Sequence, residues 1–425
     1  MTQPAVMSPL WRPFSKRYSA ESEPLLIERG EGFHVFDTSG RRYIDATSGL
    51  WFANIGHGRQ EVVDAVADQM RRIGPYSTFS EYSNVPATEL AERLAALAPV
   101  DDPRIFLTSG GSESVDSAAK LALRFWAAQG SPEKTTLISR RECFHGMAGY
   151  GQTLAGITAN REGVHGVAGH RLVPHDDAGA LAAAIDEEGP ARVAAFFVEP
   201  VMGAGGMIPP APGYLAEVAD ICRERDVLLV VDEVITAFGR LGHWFASEWM
   251  GVRPDIITCA KGLGAGYFPV GAVIVSGRIA EPFEAPERKL MFRHGHTFSG
   301  SAPAAVAALA CLDGLEREAL LDRVQQLAPV LDRELEPLRG HGAVAEVRNI
   351  GLTAAVELAP ELTVDPLPEL IVRRLWEEGV LTRMIGGPSV LICPPFVISE
   401  DALSHVVGAI GTSLSWAVER AGSVA

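Results

Sequence analysis

Residues 254–273 read PDIITCAKGLGAGYFPVGAV, and they are the best guide in the sequence to the fold that we expect for the chain. Two short apolar runs flank one lysine, Lys261, which stands among glycines and alanines. The apolar residues are continuous rather than alternating, a pattern typical of strands that are buried on both faces of a largely parallel sheet. A lysine at the end of such a strand loses part of its hydration, which costs free energy. A lysine at this place therefore indicates a function for its amine.

The same alternation of apolar runs and helical periodicity extends from about residue 60 to residue 310. Further predicted strands lie in RIFLTSGG, KTTLISRREC, ARVAAFFVEP and VLLVVDEV, and predicted helices lie in QEVVDAVADQMRRI, SVDSAAKLALRFWAAQG and GYLAEVADICRERD. Short strands that alternate with helices are typical of an α/β domain in which helices cover the sheet. We therefore predict a large α/β domain at residues 61–310.

The two ends of the chain are predicted to form a smaller α/β domain from residues 1–60 and 311–425. Residues 33–49, FHVFDTSGRRYIDATSG, indicate a hairpin, and residues 303–338 read as a long, Ala- and Leu-rich helical region. A strand is expected in VLICPPFVI, and an amphipathic helix is expected from Asp401 onward.

The composition excludes several classes of function. The 425 residues carry 37 basic and 53 acidic side chains, a net charge of −16, whereas nucleic acids and anionic membranes are bound by basic surfaces. No apolar run of about 18 residues and no secretory h-region are visible, so no membrane span is expected. The five cysteines form no C-x-x-C pair, a pattern that predicts no metal site and favours the reducing cytoplasm.

Three motifs carry the chemistry, each with a simpler alternative. TSGGSES, residues 108–114, leads from a strand through glycines into a helix; it either binds an anion with backbone N–H groups and the Ser112 hydroxyl or merely caps the helix. Asp232 ends the strand VLLVVD, where open α/β sheets bind ligands, although a Walker B carboxylate or a helix cap also fits. Lys261 is either an amine nucleophile of lowered pKa or a lysine whose head reaches solvent.

Together, an anion cradle, a buried acid and an amine match the requirements of pyridoxal 5′-phosphate (PLP). The aldehyde of this cofactor forms an imine with a lysine, its phosphate needs N–H donors, and a carboxylate keeps its ring nitrogen protonated. An NTPase is the alternative that the spacing leaves open, although the Gly-Lys-Ser/Thr ending of a Walker A loop is missing.

Beyond these motifs, the sequence resembles the class III, or ω-, aminotransferases among the fold-type I PLP-dependent enzymes. The resemblance runs from LWRPFS to VLICPPFVIS and is most specific in FFVEPVMGAGGMIPP, LLVVDEVITAFGRLG and PDIITCAKGLGAGYFPVGAV. GLWFANIGHGR and GSESVD are most similar to the β-alanine:pyruvate and taurine:pyruvate branch. The resemblance implies the fold-type I PLP-dependent transferase architecture, a mostly parallel central sheet covered by helices with a smaller α/β domain from both chain ends.

The resemblance also implies roles for residues at the reacting part of the cofactor and at its phosphate. Lys261 would hold PLP as an aldimine and then carry the proton between substrate and cofactor carbons, while Asp232 would pair with the pyridinium nitrogen. Gly111 and Ser112 would bind the phosphate. Gly110 stands where many relatives have serine, so one phosphate contact is expected to be missing.

Four further positions would complete the cofactor site by resemblance. Phe144 would stack on one face of the ring and Val234 would pack on the other, although apolar residues also suit a core. Glu199 would support the surroundings of the cofactor. Thr297, unless it is a plain strand residue, would reach the phosphate of the neighbouring subunit, so a homodimer is the expected minimal unit and a tetramer is left open. His145 is expected to be a structural histidine.

On the substrate side, Arg383 matches an arginine that clamps an acceptor carboxylate through two parallel hydrogen bonds, or else it forms an ordinary surface ion pair. Trp51 and Phe52 would form an aromatic wall, with Tyr76 and Phe79 as further candidates for the same wall. Phe144 lacks the hydroxyl of the tyrosine that is common in the family.

The function that the resemblance implies is PLP-dependent transfer of an amino group from an ω-amino acid or amine to an oxo acid such as pyruvate, through pyridoxamine phosphate. Decarboxylases, racemases and aminomutases share the fold and the lysine and stay open as alternatives. An aminotransferase that tailors a biosynthetic aldehyde or ketone is also open.

Overall fold

Strands and helices alternate along the part of the chain that this computed structural model describes, residues 9–14, 24–167 and 169–422. The strands are β1 Ile27–Glu31, β2 His34–Asp37, β3 Arg42–Asp45, β4 Arg104–Thr108, β5 Thr136–Arg140, β6 Gly169–Val173, β7 Val193–Val198, β8 Leu228–Asp232, β9 Ile256–Cys259, β10 Gly271–Val275, β11 Val344–Asn349, β12 Ala354–Leu358, β13 Val380–Leu381, β14 Met384–Ile385 and β15 Ser389–Ile392. The helices are α1 Ser48–Trp51, α2 Gln60–Arg72, α3 Val85–Leu97, α4 Gly111–Ala128, α5 Gly149–Leu154, α6 Ala178–Glu188, α7 Tyr214–Glu224, α8 Ala246–Trp249, α9 Gly277–Glu284, α10 Ala302–Arg317, α11 Leu320–Arg339, α12 Leu367–Glu377 and α13 Glu400–Gly422. None of the helices in these ranges has the length and apolarity that a membrane span requires.

The largest sheet within the described ranges has seven strands in the order β4-β10-β9-β8-β7-β5-β6. Neighbours from β9 to β6 pair in parallel, whereas β10 runs antiparallel to both β4 and β9. Because β10 is reversed, β4 points the same way as the parallel strands, and six carboxyl ends meet at one edge. The prediction of a mostly parallel central sheet is confirmed.

Helices cover both faces of this sheet, and successive side chains of a strand belong alternately to two apolar clusters, one on each face. Along β8, Leu228 and Val230 belong to the cluster that includes residues of α4 and α9, whereas Leu229 and Val231 belong to the cluster with α6 and α7. Each fully buried leucine or valine stabilises the fold by about 1.5–3 kcal/mol. Burial on both faces explains why the strands read as continuous apolar runs.

Both ends of the chain contribute to a second sheet with the strand order β1-β2-β3-β13. The hairpin predicted at 33–49 is present as β2 and β3, and β13 joins β3 in parallel, with Val380 opposite Ile44. A third, antiparallel sheet has the order β11-β12-β15-β14.

The division of the chain at residues 60 and 310 stays a prediction. Helix α10 runs across residue 310 without interruption, and parts of the predicted terminal segments, residues 1–8, 15–23 and 423–425, lie outside the described ranges.

Two helical regions add detail to the prediction. The helical region expected at residues 303–338 is present as two helices, because Ala319 adopts a left-handed backbone (φ 48°) between α10 and α11, a conformation that an α-helix cannot continue through. Helix α3, which the sequence interpretation did not identify, is capped by Asn84, whose side chain accepts a hydrogen bond of 2.9 Å from the amide of Ala87.

Candidate active site

A cavity of about 860 Å³ opens at the edge of the seven-stranded sheet where the six carboxyl ends meet. Loops that follow β4, β5, β7, β8 and β9 line it, the usual place for a ligand in an open α/β sheet. Ten of the eleven predicted site residues line this cavity: Trp51, Phe52, Gly111, Ser112, Phe144, Glu199, Asp232, Val234, Lys261 and Arg383. The structure thus brings together groups from both ends and the middle of the chain.

Thr297 is the predicted residue that does not line the cavity. It is exposed, in a turn that precedes α10. Tyr76 and Phe79, the further candidates for the aromatic wall, are also exposed and lie outside the cavity lining. The hydroxyl of Thr78 donates a hydrogen bond of 2.9 Å to the carbonyl oxygen of Ser299, so these two segments share one surface.

Lys261 follows β9 with a left-handed backbone (φ 37°) and begins a short 3-10 turn. Its Nζ lies 5.4 Å from the ring centroid of Trp51. Burial lowers the pKa of the Lys261 amine to about 8, although the carboxylates of Asp232 and Glu199 partly oppose this shift. At pH 7 roughly a tenth of such an amine is neutral, compared with less than about a thousandth for an ordinary lysine. The structure therefore favours the nucleophile over a lysine with a solvated head.

Asp232 is the last residue of β8, and its side chain is 5% exposed. Its Oδ2 lies 2.7 Å from Nδ1 of His145, and its Oδ1 accepts a hydrogen bond of 3.1 Å from the amide of Val234. Burial by itself lowers the pKa of His145, but the neighbouring Cys143 and the hydrogen bond with the Asp232 carboxylate together outweigh this effect and raise that pKa well above its ordinary value. A protonated His145 places a positive charge beside the Asp232 carboxylate.

The glycine turn between β4 and α4 forms the predicted anion cradle. Helix α4 begins at Gly111, earlier than the predicted start near Ser114, so the unpaired N–H groups of its first turn lie at the cavity. A Cβ at Gly111 would approach Cγ1 of Val234 within 2.8 Å, and this position therefore requires glycine. Gly110 differs, since its backbone is extended (φ 169°) and a Cβ there would meet no atom within 4 Å. The serine that the family often has at this position would fit.

Glu199 connects two loops of the cavity wall. Its Oε1 accepts a hydrogen bond of 3.0 Å from the amide of Phe144, and its Oε2 accepts one of 3.0 Å from the amide of Gly203. Burial raises the pKa of this carboxyl group, although the charge of His145 partly opposes the effect. Glu199 thereby fixes the backbone that presents Phe144 to the cavity.

Trp51, Phe52 and Arg383 form the opposite wall. The guanidinium carbon of Arg383 lies 4.1 Å from the ring centroid of Trp51. Its Nε is buried without a hydrogen-bond partner among the described residues, and burial lowers the pKa of the guanidinium. The Phe52 ring lies between two glycines, because a Cβ at Gly49 or Gly266 would approach the ring within 2.5 Å.

Two residues with roles in this architecture were missed by the sequence interpretation. His145 was expected to be a structural histidine, but its partner, the carboxylate of Asp232, was not predicted; only its place beside Phe144 pointed to the cavity. Arg240 is fully buried and donates hydrogen bonds to Oδ1 of Asn54 (2.9 Å) and to the carbonyl oxygen of Pro394 (2.8 Å). It therefore links both ends of the chain to the large sheet. The signal in the sequence that could have indicated this role is a single arginine among apolar residues.

The residues present fit PLP. A cradle that excludes side chains at Gly111 suits a phosphate, Asp232 supplies a buried carboxylate for a ring nitrogen, and Lys261 supplies an amine of lowered pKa for an aldehyde. Potential metal ligands do not cluster in groups of three or more anywhere in the described ranges.

Comparison with known proteins agrees with this geometry. The profile of the family described as aminotransferase class-III matches residues 17–414. The β-alanine–pyruvate aminotransferase of Pseudomonas aeruginosa is 35% identical over 95% of this chain and 95% of that protein. The putrescine–pyruvate aminotransferase of the same organism is 34% identical over 90% of this chain and 88% of that protein.

A solved structure gives the same result at the level of the fold and the cofactor. The ω-transaminase of Pseudomonas jessenii, in complex with PMP, aligns with a TM-score of 0.91 and 34% sequence identity, covering 97% of each chain. PMP is the amine form of PLP. The chain belongs to the class III aminotransferase family and is a PLP-dependent aminotransferase.

Proposed function

We propose that this enzyme moves an amino group from an ω-amino acid or another amine to an oxo acid such as pyruvate. Arg383 carries the proposal, because its guanidinium lines the cavity and has no carboxylate partner among the described residues. A planar guanidinium binds a carboxylate through two parallel hydrogen bonds. The two relatives from Pseudomonas aeruginosa, whose names include pyruvate, support the same acceptor.

The cofactor would be held by the residues that the cavity brings together. Gly111 and Ser112 would bind the phosphate, Asp232 would face the ring nitrogen, and Phe144 and Val234 would pack against the two faces of the ring. Glu199 would act indirectly, through the backbone amides that it fixes. When bound, PLP supplies an electron sink that acidifies the C–H bond next to the amine nitrogen.

Lys261 would serve as the base for that C–H bond. Its lowered pKa leaves a usable fraction of neutral amine near pH 7, and its Nζ lies in the same cavity as Arg383. Asp232, held by His145, would keep an anion where the electron sink needs it. Arg383 would orient the substrate by its carboxylate, and Trp51 would exclude water above the lysine.

The donor is the open half of the reaction. The aromatic wall of Trp51 and Phe52 suits an apolar or extended amine, so β-alanine, taurine, a diamine, an arylalkylamine and a biosynthetic aldehyde in the reverse direction are the candidates to compare.

We further propose a homodimer in the cytoplasm. Large apolar side chains are exposed in segments that adjoin Thr297: Phe79, whose ring lies beside Gly295, Val85, which follows the Asn84 that bonds to Gly300, and Phe298. A patch of this kind marks an interaction surface. The five cysteines are free thiols, which suits a reducing compartment. Light scattering coupled to size-exclusion chromatography tests the assembly, and a fully active monomer would contradict it.

The visible spectrum of the holoenzyme tests the reaction. Each candidate donor is added without an acceptor, and pyruvate is added afterwards. We expect at least one donor to bleach the yellow cofactor band and pyruvate to restore it. A yellow enzyme that no donor bleaches, but that releases carbon dioxide or racemises an amino acid, would overturn the proposed reaction.

A further inference from the structure

The aromatic wall stands on a turn, residues 47–52, that is organised by one buried carboxylate. Asp45 ends β3 and is 3% exposed. Its Oδ1 accepts hydrogen bonds of 3.1 Å from both the amide and the hydroxyl of Thr47. Its Oδ2 accepts one of 2.6 Å from the amide of Gly49 and lies 2.8 Å from Nε2 of His57. Four donors thus converge on a single side chain.

The turn, which includes the four residues of α1, does not have the backbone of a regular helix. Ser48 (φ 48°), Gly49 (φ 64°) and Trp51 (φ 63°) all adopt positive φ within four residues. Such a conformation persists only where surrounding contacts hold it, and it is typical of functional sites. Besides Asp45, two contacts hold Ser48: its hydroxyl donates a hydrogen bond of 2.7 Å to the carbonyl oxygen of Cys393 and accepts one of 3.2 Å from Arg240.

The turn sets the position of both aromatic rings. The Phe52 ring fits into the gap between Gly49 and Gly266, where a Cβ on either glycine would lie 2.5 Å from it. Trp51 contacts both Lys261 and Arg383 through its ring. A displacement of Gly49 therefore moves the wall that a bulky amine contacts, while the residues at the ends of β4, β8 and β9 keep their places.

We infer that Asp45, supported by His57, is a positioning residue for the substrate wall. It touches neither substrate nor cofactor, and it acts by holding the Gly49 amide and hence Trp51 and Phe52. The inference rests on the proposed function, because it assumes that these rings contact the amine donor.

The same hairpin offers a matched control. Asp37, at the end of β2, is 8% exposed and also accepts four hydrogen bonds: from the amide (2.9 Å) and hydroxyl (2.6 Å) of Ser39, the amide of Arg41 (3.0 Å) and the hydroxyl of Tyr43 (2.9 Å). It organises the turn between β2 and β3, however, and does not line the cavity. Asp37→Asn therefore measures how much activity is lost when a buried, hydrogen-bonded aspartate of this hairpin is replaced at a position away from the cavity.

The test compares Asp45→Asn with Asp37→Asn as PLP-loaded enzymes. Asparagine at 45 places an NH2 group against at least one N–H donor. For a phenyl-bearing amine we expect kcat/KM to fall about 10- to 100-fold in Asp45→Asn, chiefly through KM, and to stay within about threefold in Asp37→Asn. A small amine such as isopropylamine should lose less than the phenyl-bearing amine, because it does not reach the wall. The absorbance of the bound cofactor should not change in either variant.

His57 provides a second pair of variants in case Asp45→Asn does not fold. His57→Leu removes one donor to Asp45 and should shift the same amine preference in the same direction, whereas His57→Gln retains an N–H donor and should restore it. Equal losses for both amines, or equal behaviour of the Asp45 and Asp37 variants, would overturn the inference. A crystal structure of Asp45→Asn with residues 48–51 unmoved would overturn it as well. Wild-type enzyme that transaminates neither amine would instead overturn the proposed function.

Discussion

The two walls of the cavity are built in different ways. On the cofactor side, Gly111, Asp232 and Lys261 each lie at or just after the end of a strand of one sheet, and that sheet is buried on both faces. On the substrate side, Trp51 and Arg383 come from opposite ends of the chain and meet with 4.1 Å between guanidinium carbon and ring centroid.

Because of this difference, the groups that carry out the reaction and the groups that select the substrate lie on separate parts of the structure. A group at the end of a buried strand cannot move without disturbing the core, so the positions of the acid and the amine are fixed by the fold. A wall made from a hydrogen-bonded turn and a distant arginine can change without such damage. We therefore expect loss of the amine or the acid on the cofactor side to abolish most turnover, and substitutions on the substrate side to change which substrates are used.

The largest effect is expected for Lys261→Ala. Loss of the amine removes both the attachment point and the base, so the rate of amino transfer should fall by at least about 10³-fold for every donor. Single-turnover bleaching of the cofactor band measures this rate, and Lys289→Ala, which alters an exposed lysine, is the control. A variant of Lys261 that retains the wild-type rate would show that the cofactor side has been assigned wrongly.

Asp232→Asn should come next, with a loss of about 10²- to 10³-fold in kcat. The neutral amide cannot support a positive charge on the cofactor ring, and it leaves His145 without its anionic partner. Asp255→Asn is the matched control, because Asp255 accepts a hydrogen bond of 2.9 Å from the amide of Leu229 at the other end of β8. If both variants lost only thermal stability and kept their kcat, the acid would have no part in the reaction.

The amine of Lys261 should also be unusually reactive in the cofactor-free protein. With a pKa of about 8, its neutral fraction at pH 7 exceeds that of an ordinary lysine by a factor on the order of 10². Labelling with an acylating reagent, followed by peptide mass spectrometry, should give a rate that rises through pH 8 and then levels off. The rate for a short lysine peptide, whose amine has an ordinary pKa of about 10.4, should still be rising at pH 9. Identical profiles for Lys261 and the peptide would contradict the lowered pKa.

On the substrate side, Arg383→Leu should raise KM for pyruvate by roughly 100-fold, the equivalent of two charged hydrogen bonds of moderate strength. The half-reaction of an amine donor that has no carboxylate should change by less than about fivefold. Steady-state kinetics with pyruvate and with an uncharged aldehyde acceptor separate the two effects. Equal losses for both acceptors would remove the carboxylate-binding role of Arg383.

The smallest effect is expected for Gly110→Ser. The extended backbone and the open space at this position admit a side chain, and a hydroxyl there would add one donor near the phosphate. We expect the dissociation constant of PLP to decrease by about tenfold or less, with kcat unchanged. Gly111→Ser is the contrasting variant, because its Cβ would collide with Val234. Weaker PLP binding in Gly110→Ser would show that the cradle lies elsewhere.

The cofactor side could be predicted from the sequence because each of its groups adjoins a recognisable strand. Asp232 and Lys261 both follow apolar runs that are continuous in the sequence and buried in the structure. The direction of β10 was beyond this reasoning, since GAVIV reads the same whichever way the strand runs. The contact of His145 with Asp232 joins residues 87 positions apart, and no local pattern encodes it.

The substrate side needed tertiary information. Trp51 and Arg383 were expected there only because the sequence resembles a family. No role was predicted from the sequence for Asp45 or Arg240. Arg240 donates to the hydroxyl of Ser48, 192 positions away, at 3.2 Å. Hydrogen bonds over such separations depend on how the sheets dock, and hydrophobic periodicity contains no information on docking.

The turn at residues 47–52 also constrains the order in which parts of the protein can fold during synthesis. Its hydroxyl at Ser48 bonds to Cys393, 345 positions later, and the amide of Cys393 donates a hydrogen bond of 2.7 Å to the carbonyl oxygen of Ala46. Chains emerge from the ribosome amino terminus first, and the last strand of the large sheet ends at Val275. The strands that carry the cofactor groups have therefore all been synthesised while the turn still lacks its carboxyl-terminal partner. If translation stops before residue 393, the segment at residues 46–48 lacks both of its hydrogen bonds to Cys393.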